Sequence, residues 1–286
     1  MKKKMLFFAL LVVLATGVSA QTKRVRFGES LKKKLVSFAS KVQHLGSTKL
    51  ALMLKNHTKD SMLVDLENGR IFESNENYQP VVLTRSKILA LGPSETKEFH
   101  VPGYCGNASA PGSPNGFEGF VKTRMGSEDM VRVFTQLESM HMDDSNQMQS
   151  LVWMFTNQHS LSSVYANTEE GRRFVGLVAS TLHIPKPSYS VAYKPPSENS
   201  EYMFTGVPEK INAEVTYTAK TDMSVDILIL DGKGKVVRYL RHYDNISPGE
   251  YAMEIESELT GVDQGNYYLV VRDDKGRQLH ETVLEI

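Results

Sequence analysis

Cys105 is the residue whose side chain is best suited to covalent chemistry. It is the only cysteine among 286 residues, so no disulfide partner lies within the chain and the thiol needs another role. It lies in the segment Gly-Tyr-Cys-Gly-Asn-Ala-Ser-Ala-Pro-Gly-Ser-Pro-Asn-Gly, residues 103–116. The turn-forming residues of this segment predict a surface loop with an accessible thiol. Since thiolates attack carbonyl carbon atoms readily, Cys105 is a candidate nucleophile.

The second candidate is Gln149, in a segment with the apolar spacing of a helix. Met148, Leu151 and Val152 define the apolar face. Gln149 lies on the flank of that face, one helical turn before Trp153, the only tryptophan. The spacing therefore predicts a half-buried carboxamide beside an aromatic ring.

These two segments together resemble the thioester domains of bacterial surface adhesins. The features in common are a Tyr-Cys loop (104–105), the spacing Pro-Asn-Gly-Phe to Phe over 114–120, and Gln-Ser-Leu-Val-Trp at 149–153. In that family the thiol and a glutamine carboxamide condense into an internal thioester. The resemblance implies Cys105 and Gln149 as the pair, with Gln147 as an alternative glutamine.

A thioester would store reactivity for attachment to a partner. A partner amine attacks the acyl carbon and becomes covalently joined, and the aromatic residues Tyr104 and Trp153 would exclude water. The chain also departs from the family. Cys105 and Gln149 are closer in sequence than is usual, the first helix is brief, and Asn107 replaces the acid of the contiguous Cys-Gly-Glu-Gln form.

Two other functions stay open. Cys105 is also interpretable as a small, inert residue beside an ordinary helix, which makes the protein a structural or scaffold component of the envelope. The third interpretation is an exported cysteine hydrolase, whose triad would combine Cys105 with His141 or His159 and with Asn157 or Asp144. The group His141, Asp143 and Asp144 predicts no metal site, because acids at a helix start are capping residues.

Residues 1–20 have the pattern of a secretory signal peptide. Lys2–Lys4 form a positive start, Leu6–Ala15 is an apolar run, and Val-Ser-Ala precedes Gln21. The run is shorter than the roughly 20 residues of a membrane-spanning helix. We expect a mature chain that begins at Gln21, lacks a transmembrane segment, and resides in the periplasm, at the cell surface or outside the cell.

Charge argues against nucleic acid as a partner. The chain has 33 basic and 33 acidic residues, and removing the leader takes away three lysines, so the mature protein is close to neutral. All charged residues of the segment 21–49 are basic except Glu29. Such a composition is typical of a solvated segment or of an arm that binds an acidic polymer or lipid headgroups. The expected partner is a protein or surface ligand, and no cofactor is predicted.

The length of the chain and its Pro-rich stretches predict two domains. Pro-rich stretches at 184–188 and 193–200 follow a helical pattern, which places the boundary near Pro187 and gives domains 21–187 and 188–286. The first is predicted as a β-sandwich with about three helices, which begin behind Ser127, the acids 143–144 and Thr168. The fold is therefore mostly β with a helical subdomain.

The second domain reads as short strands and tight turns, which indicates an antiparallel sandwich. Val-Asp-Ile-Leu-Ile-Leu-Asp-Gly-Lys-Gly-Lys-Val-Val-Arg (225–238), Ser-Pro-Gly-Glu-Tyr (247–251) and Gly-Asn-Tyr-Tyr-Leu-Val (265–270) resemble the immunoglobulin-like repeat of the flagellar hook-cap family. Similar sandwiches end exported proteins of Bacteroidetes-type bacteria, where they serve type IX secretion. The resemblance implies a scaffold, spacer or sorting module.

Overall fold

The computed structural model describes residues 22–45 and 47–286. Within them the chain is mostly β, with several sheets and four α-helices. The predicted signal peptide, residues 1–20, and the predicted cleavage point before Gln21 lie outside the described residues.

The N-terminal part holds three sheets. The strands are β1 (Lys23–Arg26), β2 (Val36–Leu45), β3 (Ser47–Asn56), β4 (Met62–Leu66), β5 (Arg70–Ser74), β6 (Val81–Val82), β7 (Lys87–Leu91), β8 (Thr96–Pro102), β9 (Tyr104–Cys105) and β10 (Phe120–Met125). Their orders are β1-β4-β7, β2-β3-β8 and β10-β5-β6-β9. Every second residue of β4 is buried, as expected for a strand with one face in a core.

The described part of the chain has four α-helices, α1 (Phe27–Lys32), α2 (Glu128–Ser139), α3 (Met148–Asn157) and α4 (Glu169–Leu182), and a 3-10 helix at Leu161–Ser163. The last three α-helices pack on the sheet that carries β9. The last three α-helices share one apolar core with Ile71 of β5 and Val82 of β6. Burial of each large apolar side chain contributes about 1.5–3 kcal/mol, so this core fixes α3 against the sheet.

Helix caps explain where two helices begin. The hydroxyl of Ser127 accepts a hydrogen bond from the amide of Met130, and Thr168 does the same for Gly171. The acids predicted to start α3 are placed differently. Asp143 pairs with Arg85, and α3 begins at Met148, where the N-cap residue Gln147 makes no side-chain capping hydrogen bond.

The C-terminal part consists of antiparallel strands in two sheets. They are β11 (Tyr189–Tyr193), β12 (Pro208–Ala219), β13 (Met223–Asp231), β14 (Val236–Ile246), β15 (Gly249–Glu258), β16 (Asn266–Asp273) and β17 (Gln278–Glu285). The sheet orders are β11-β12-β15 and β14-β13-β16-β17. Ile211 and Val215 of the first sheet share a core with Ile227 and Leu269 of the second.

The two parts of the chain are in contact. The Asn212 side chain donates to the backbone carbonyl of Ala166 at 3.1 Å and to Glu254 at 2.7 Å. Arg172 pairs with Glu254 from the other side. β11, directly after the predicted boundary, pairs with β12, so the strand content of the second part begins at Tyr189. No helix in the described part of the chain is long and apolar enough to cross a membrane.

Candidate functional site

Cys105 lies on a short strand rather than in an open loop. β9 pairs with β6, where Cys105 faces Val81, and the amide of Gly106 donates to the carbonyl of Pro80 at 2.7 Å. The residue is only 6% exposed. The prediction of an accessible loop thiol is therefore wrong for this state, because pairing with β6 draws the turn-rich segment into the sheet.

The Gln149 carboxamide forms two hydrogen bonds with the backbone of Cys105. The Cys105 amide donates to Oε1 at 3.1 Å, and Nε2 donates to the Cys105 carbonyl at 2.8 Å. Although 44 positions separate the two residues, α3 delivers the side chain to the strand edge opposite β6. The carboxamide thus satisfies a backbone edge as a neighbouring strand would.

This pairing places the Gln149 carboxamide beside the backbone of Cys105. With hydrogen-bond lengths of about 3 Å, the Gln149 carboxamide carbon lies roughly 4 Å from the Cys105 backbone. The Cys105 sulfur is attached to the same residue through one methylene group. The arrangement therefore places a carboxamide carbon beside the residue that carries the candidate nucleophile.

Two glycines allow the strand to approach β6. A Cβ added to Gly106 would lie 2.8 Å from a methyl group of Val82 and 3.2 Å from the carbonyl oxygen of Pro80. A Cβ on Gly103 would lie 2.5 Å from a methyl group of Val81. The glycines that suggested a loop are required here for close packing of two strands.

Side-chain amides anchor the segment that follows Cys105. Asn157, at the end of α3, accepts from the Ala108 amide and donates to Asn107, both at 3.0 Å. Gln79 accepts from the Asn107 amide at 3.3 Å and donates to the Ala110 carbonyl at 2.8 Å. Gln79 was not predicted to have a role here, since its only signal in the sequence is an amide side chain shortly before the apolar strand Val81–Val82.

The two supporting aromatic residues have different surroundings. Tyr104 packs against the helical core. Burial is the main cause that raises the pKa of its hydroxyl, and the negative charges of Asp144 and Asp143 raise it further. Trp153 is 6% exposed, with its ring centroid 5.4 Å from that of Phe204. Its indole N–H is buried and has no hydrogen-bond partner within the described chain.

The residues of the other interpretations lie at different places. Gln147 donates a hydrogen bond to the carbonyl of Tyr165 at 3.4 Å. Gln149 is the glutamine that hydrogen-bonds to the Cys105 backbone. His159 packs against Trp153 and Phe204, and burial lowers the pKa of its ring. Asn157 is engaged in anchoring the loop. His141 is exposed at a positive φ of 56° directly after α2.

One cavity borders the candidate site. Its volume is about 400 Å³, and its lining includes Pro80, Gly106 and Asn107 from the strand side and Thr156 and Asn157 from α3. Gly106 directly follows Cys105, but neither Cys105 nor Gln149 lines this cavity. The described residues contain no group of His, Cys, Asp and Glu arranged to hold a metal ion.

Comparison of the chain with protein-family models, with curated proteins and with solved structures found no match.

Proposed function

We propose that this protein is an exported binding or adhesion protein of the cell envelope or surface, which forms an internal thioester between Cys105 and Gln149. The observation that carries the proposal is the pair of hydrogen bonds between the Gln149 carboxamide and the Cys105 backbone. Of the two glutamines in this region, only Gln149 makes such bonds, in agreement with the pair that the resemblance implies.

The same hydrogen bonds suit the bond-forming step. The Cys105 sulfur attacks the carboxamide carbon, and negative charge develops on Oε1, which already accepts from the Cys105 amide at 3.1 Å. A donor in that position stabilises the tetrahedral intermediate. The C–N bond then breaks, the thiol proton passes to the departing nitrogen, and ammonia leaves.

Attachment to a partner is the aminolysis of the thioester. A primary amine of a protein or surface ligand adds to the acyl carbon, the C–S bond breaks, and an amide with the Gln149 side chain remains while the thiol is restored. Burial of Cys105 restricts water, so hydrolysis is slow compared with capture of an amine that binds nearby.

The two parts of the chain have separate roles in this proposal. Residues 21–187 form a β-sandwich with a helical subdomain, of the thioester-domain type, and residues 188–286 form an immunoglobulin-like antiparallel sandwich. The shared core between the two C-terminal sheets supports the second assignment. That sandwich is a spacer or a sorting module of the kind that ends exported Bacteroidetes-type proteins, and a cleaved signal peptide directs export.

Intact mass measurement tests the proposal. The purified protein should weigh one ammonia less than its sequence, and methylamine should add to it with a one-to-one stoichiometry. Cys105→Ala and Gln149→Ala should each abolish both effects. Gln147→Ala is the matched control and should keep both. A wild-type mass equal to that of the unmodified chain would rule out the thioester.

A non-reactive structural protein is the second candidate. It is favoured by the fact that both Gln149 hydrogen bonds go to backbone groups, since such pairing stabilises a strand edge without any chemistry. In that case the wild-type protein retains its ammonia, and alkylating reagents modify Cys105 slowly at a rate set by local opening.

A further inference from the structure

We infer that Glu201–Phe204, in the connection between β11 and β12, is a strap that positions both halves of the Cys105–Gln149 site, with Phe204 as its positioning residue. This inference rests on the proposed thioester for its functional meaning. The strap belongs to the C-terminal part of the chain, so the site in the N-terminal part is completed by the neighbouring part.

One end of the strap is tied to the segment that carries Cys105. The amide of Gly112 donates to the carbonyl of Glu201 at 2.7 Å, and Pro111 forms an antiparallel bridge with Tyr202. The carbonyl of Pro111 in turn accepts from the amide of Gln79 at 3.0 Å. The strap therefore extends the network that anchors the residues after Cys105.

The other end covers the helix that carries Gln149. The ring of Phe204 meets the ring of Trp153 edge-on, with centroids 5.4 Å apart, and it also contacts His159 and Tyr193 at 5.0 Å each. Trp153 lies one helical turn after Gln149 on α3. Phe204 thus closes an aromatic cluster over the helix face that presents the carboxamide.

The base of the strap is fixed to the second part of the chain. The Thr205 hydroxyl donates to the carbonyl of Lys194, and the amide of Lys194 donates to the carbonyl of Val207, both at 2.8 Å. These bonds close the connection into a loop directly before β12. The base of the strap is fixed, and the strap contacts both the segment that follows Cys105 and helix α3. The strap therefore restrains that segment and α3 relative to each other.

This restraint has a consequence for Cys105. The Gln149 carboxamide stays paired with the Cys105 backbone only while β9 and α3 keep their spacing, and water reaches both residues when the two elements separate. An edge-to-face aromatic pair is worth enough that its loss should raise the population of such local opening about tenfold. Phe204 acts through its contact with Trp153.

The single tryptophan and single cysteine make the test clean. In the full mature chain, Phe204→Ala should shift Trp153 fluorescence to longer wavelength and raise the rate of thioester hydrolysis, measured as regain of mass in water, about tenfold. Phe204→Tyr should restore wild-type behaviour. Val283→Ala, which shortens an apolar side chain 58% exposed on β17, outside the strap, is the control and should change neither quantity.

The outcomes separate this inference from the proposed function. Without the thioester, the wild-type mass shows no loss of ammonia, and the strap is then tested by iodoacetamide labelling of Cys105, which Phe204→Ala should accelerate. A Phe204→Ala protein with a shifted tryptophan spectrum but unchanged hydrolysis or labelling would overturn the strap. If Phe204→Ala does not fold, Phe204→Leu replaces it, and a wild-type rate for that variant with a shifted spectrum also overturns the inference.

Discussion

Opening the proposed Cys105–Gln149 thioester with methylamine should lower the thermal stability of the protein. The bond would link two positions 44 residues apart, so it restricts the unfolded chain as a disulfide does. Methylamine breaks the C–S bond and releases that restriction, while the folded contacts around Cys105 and Gln149 change little. The expected effect is therefore a loss of stability that arises mostly in the unfolded state.

The size of the effect follows from the loop length. The chain-entropy relation gives about 4 kcal/mol for a closed loop of this size. In a cooperative unit of 150–250 residues, each kcal/mol corresponds to about 2–4 °C in melting temperature. Treatment with methylamine should thus lower the transition of the N-terminal part by about 8–16 °C.

Calorimetry on treated and untreated protein measures this difference. Cys105→Ala never forms the cross-link, so its melting temperature should match that of the treated wild type, and methylamine should leave it unchanged. If methylamine adds to the protein by mass while the melting temperature stays constant, the cross-link does not restrict the unfolded chain and the reasoning fails.

Three further predictions concern groups around the site. In the Cys105→Ala background, adding Gln149→Ala should lower the free energy of unfolding by about 1–3 kcal/mol for each buried backbone group that loses its partner; an unchanged urea midpoint would contradict the pairing. Asn212→Ala should cost about 1–3 kcal/mol because a buried carbonyl loses its donor, again by urea titration. Burial lowers the pKa of His159 below 6.5, so the unfolded chain binds more protons and stability falls as pH drops below 6.5. His159→Phe should flatten that dependence in melting curves recorded from pH 8 to 5.

Local sequence signals predicted the regular elements well. Ser127 and Thr168 cap their helices as their types suggested. The turn residues of the C-terminal strands also work as expected, since the Asp231 carboxylate accepts from the amides of Lys233 and Lys235. These features depend on residues a few positions apart, which sequence patterns capture directly. By contrast, helix α1 (Phe27–Lys32) was not predicted, because the sequence of that region was interpreted from its basic charge alone.

The burial of Cys105 depends on contacts that are distant in the sequence. The glycines on both sides of the Tyr-Cys pair are typical of a loop, yet Gly106 serves close packing against Pro80 and Val82. The resemblance implied Gln149 as the partner of Cys105, but it did not predict that the Gln149 carboxamide hydrogen-bonds to the Cys105 backbone. The two hydrogen bonds of Gln149 predict a measurable loss of stability when this residue is replaced by alanine.

The geometry of Gln149 links the structural and reactive interpretations. A strand edge with an unpaired N–H and C=O beside a helix requires a group that both accepts and donates, and a carboxamide does both. Once such a group is hydrogen-bonded to the backbone of a cysteine, its carbon lies beside the residue that carries the thiol and its oxygen already has a donor. A carboxamide selected only to pair with the N–H and C=O of this strand edge would therefore also be positioned for acyl transfer. Loss of ammonia is the observation that separates the two interpretations, because the hydrogen bonds alone are compatible with both.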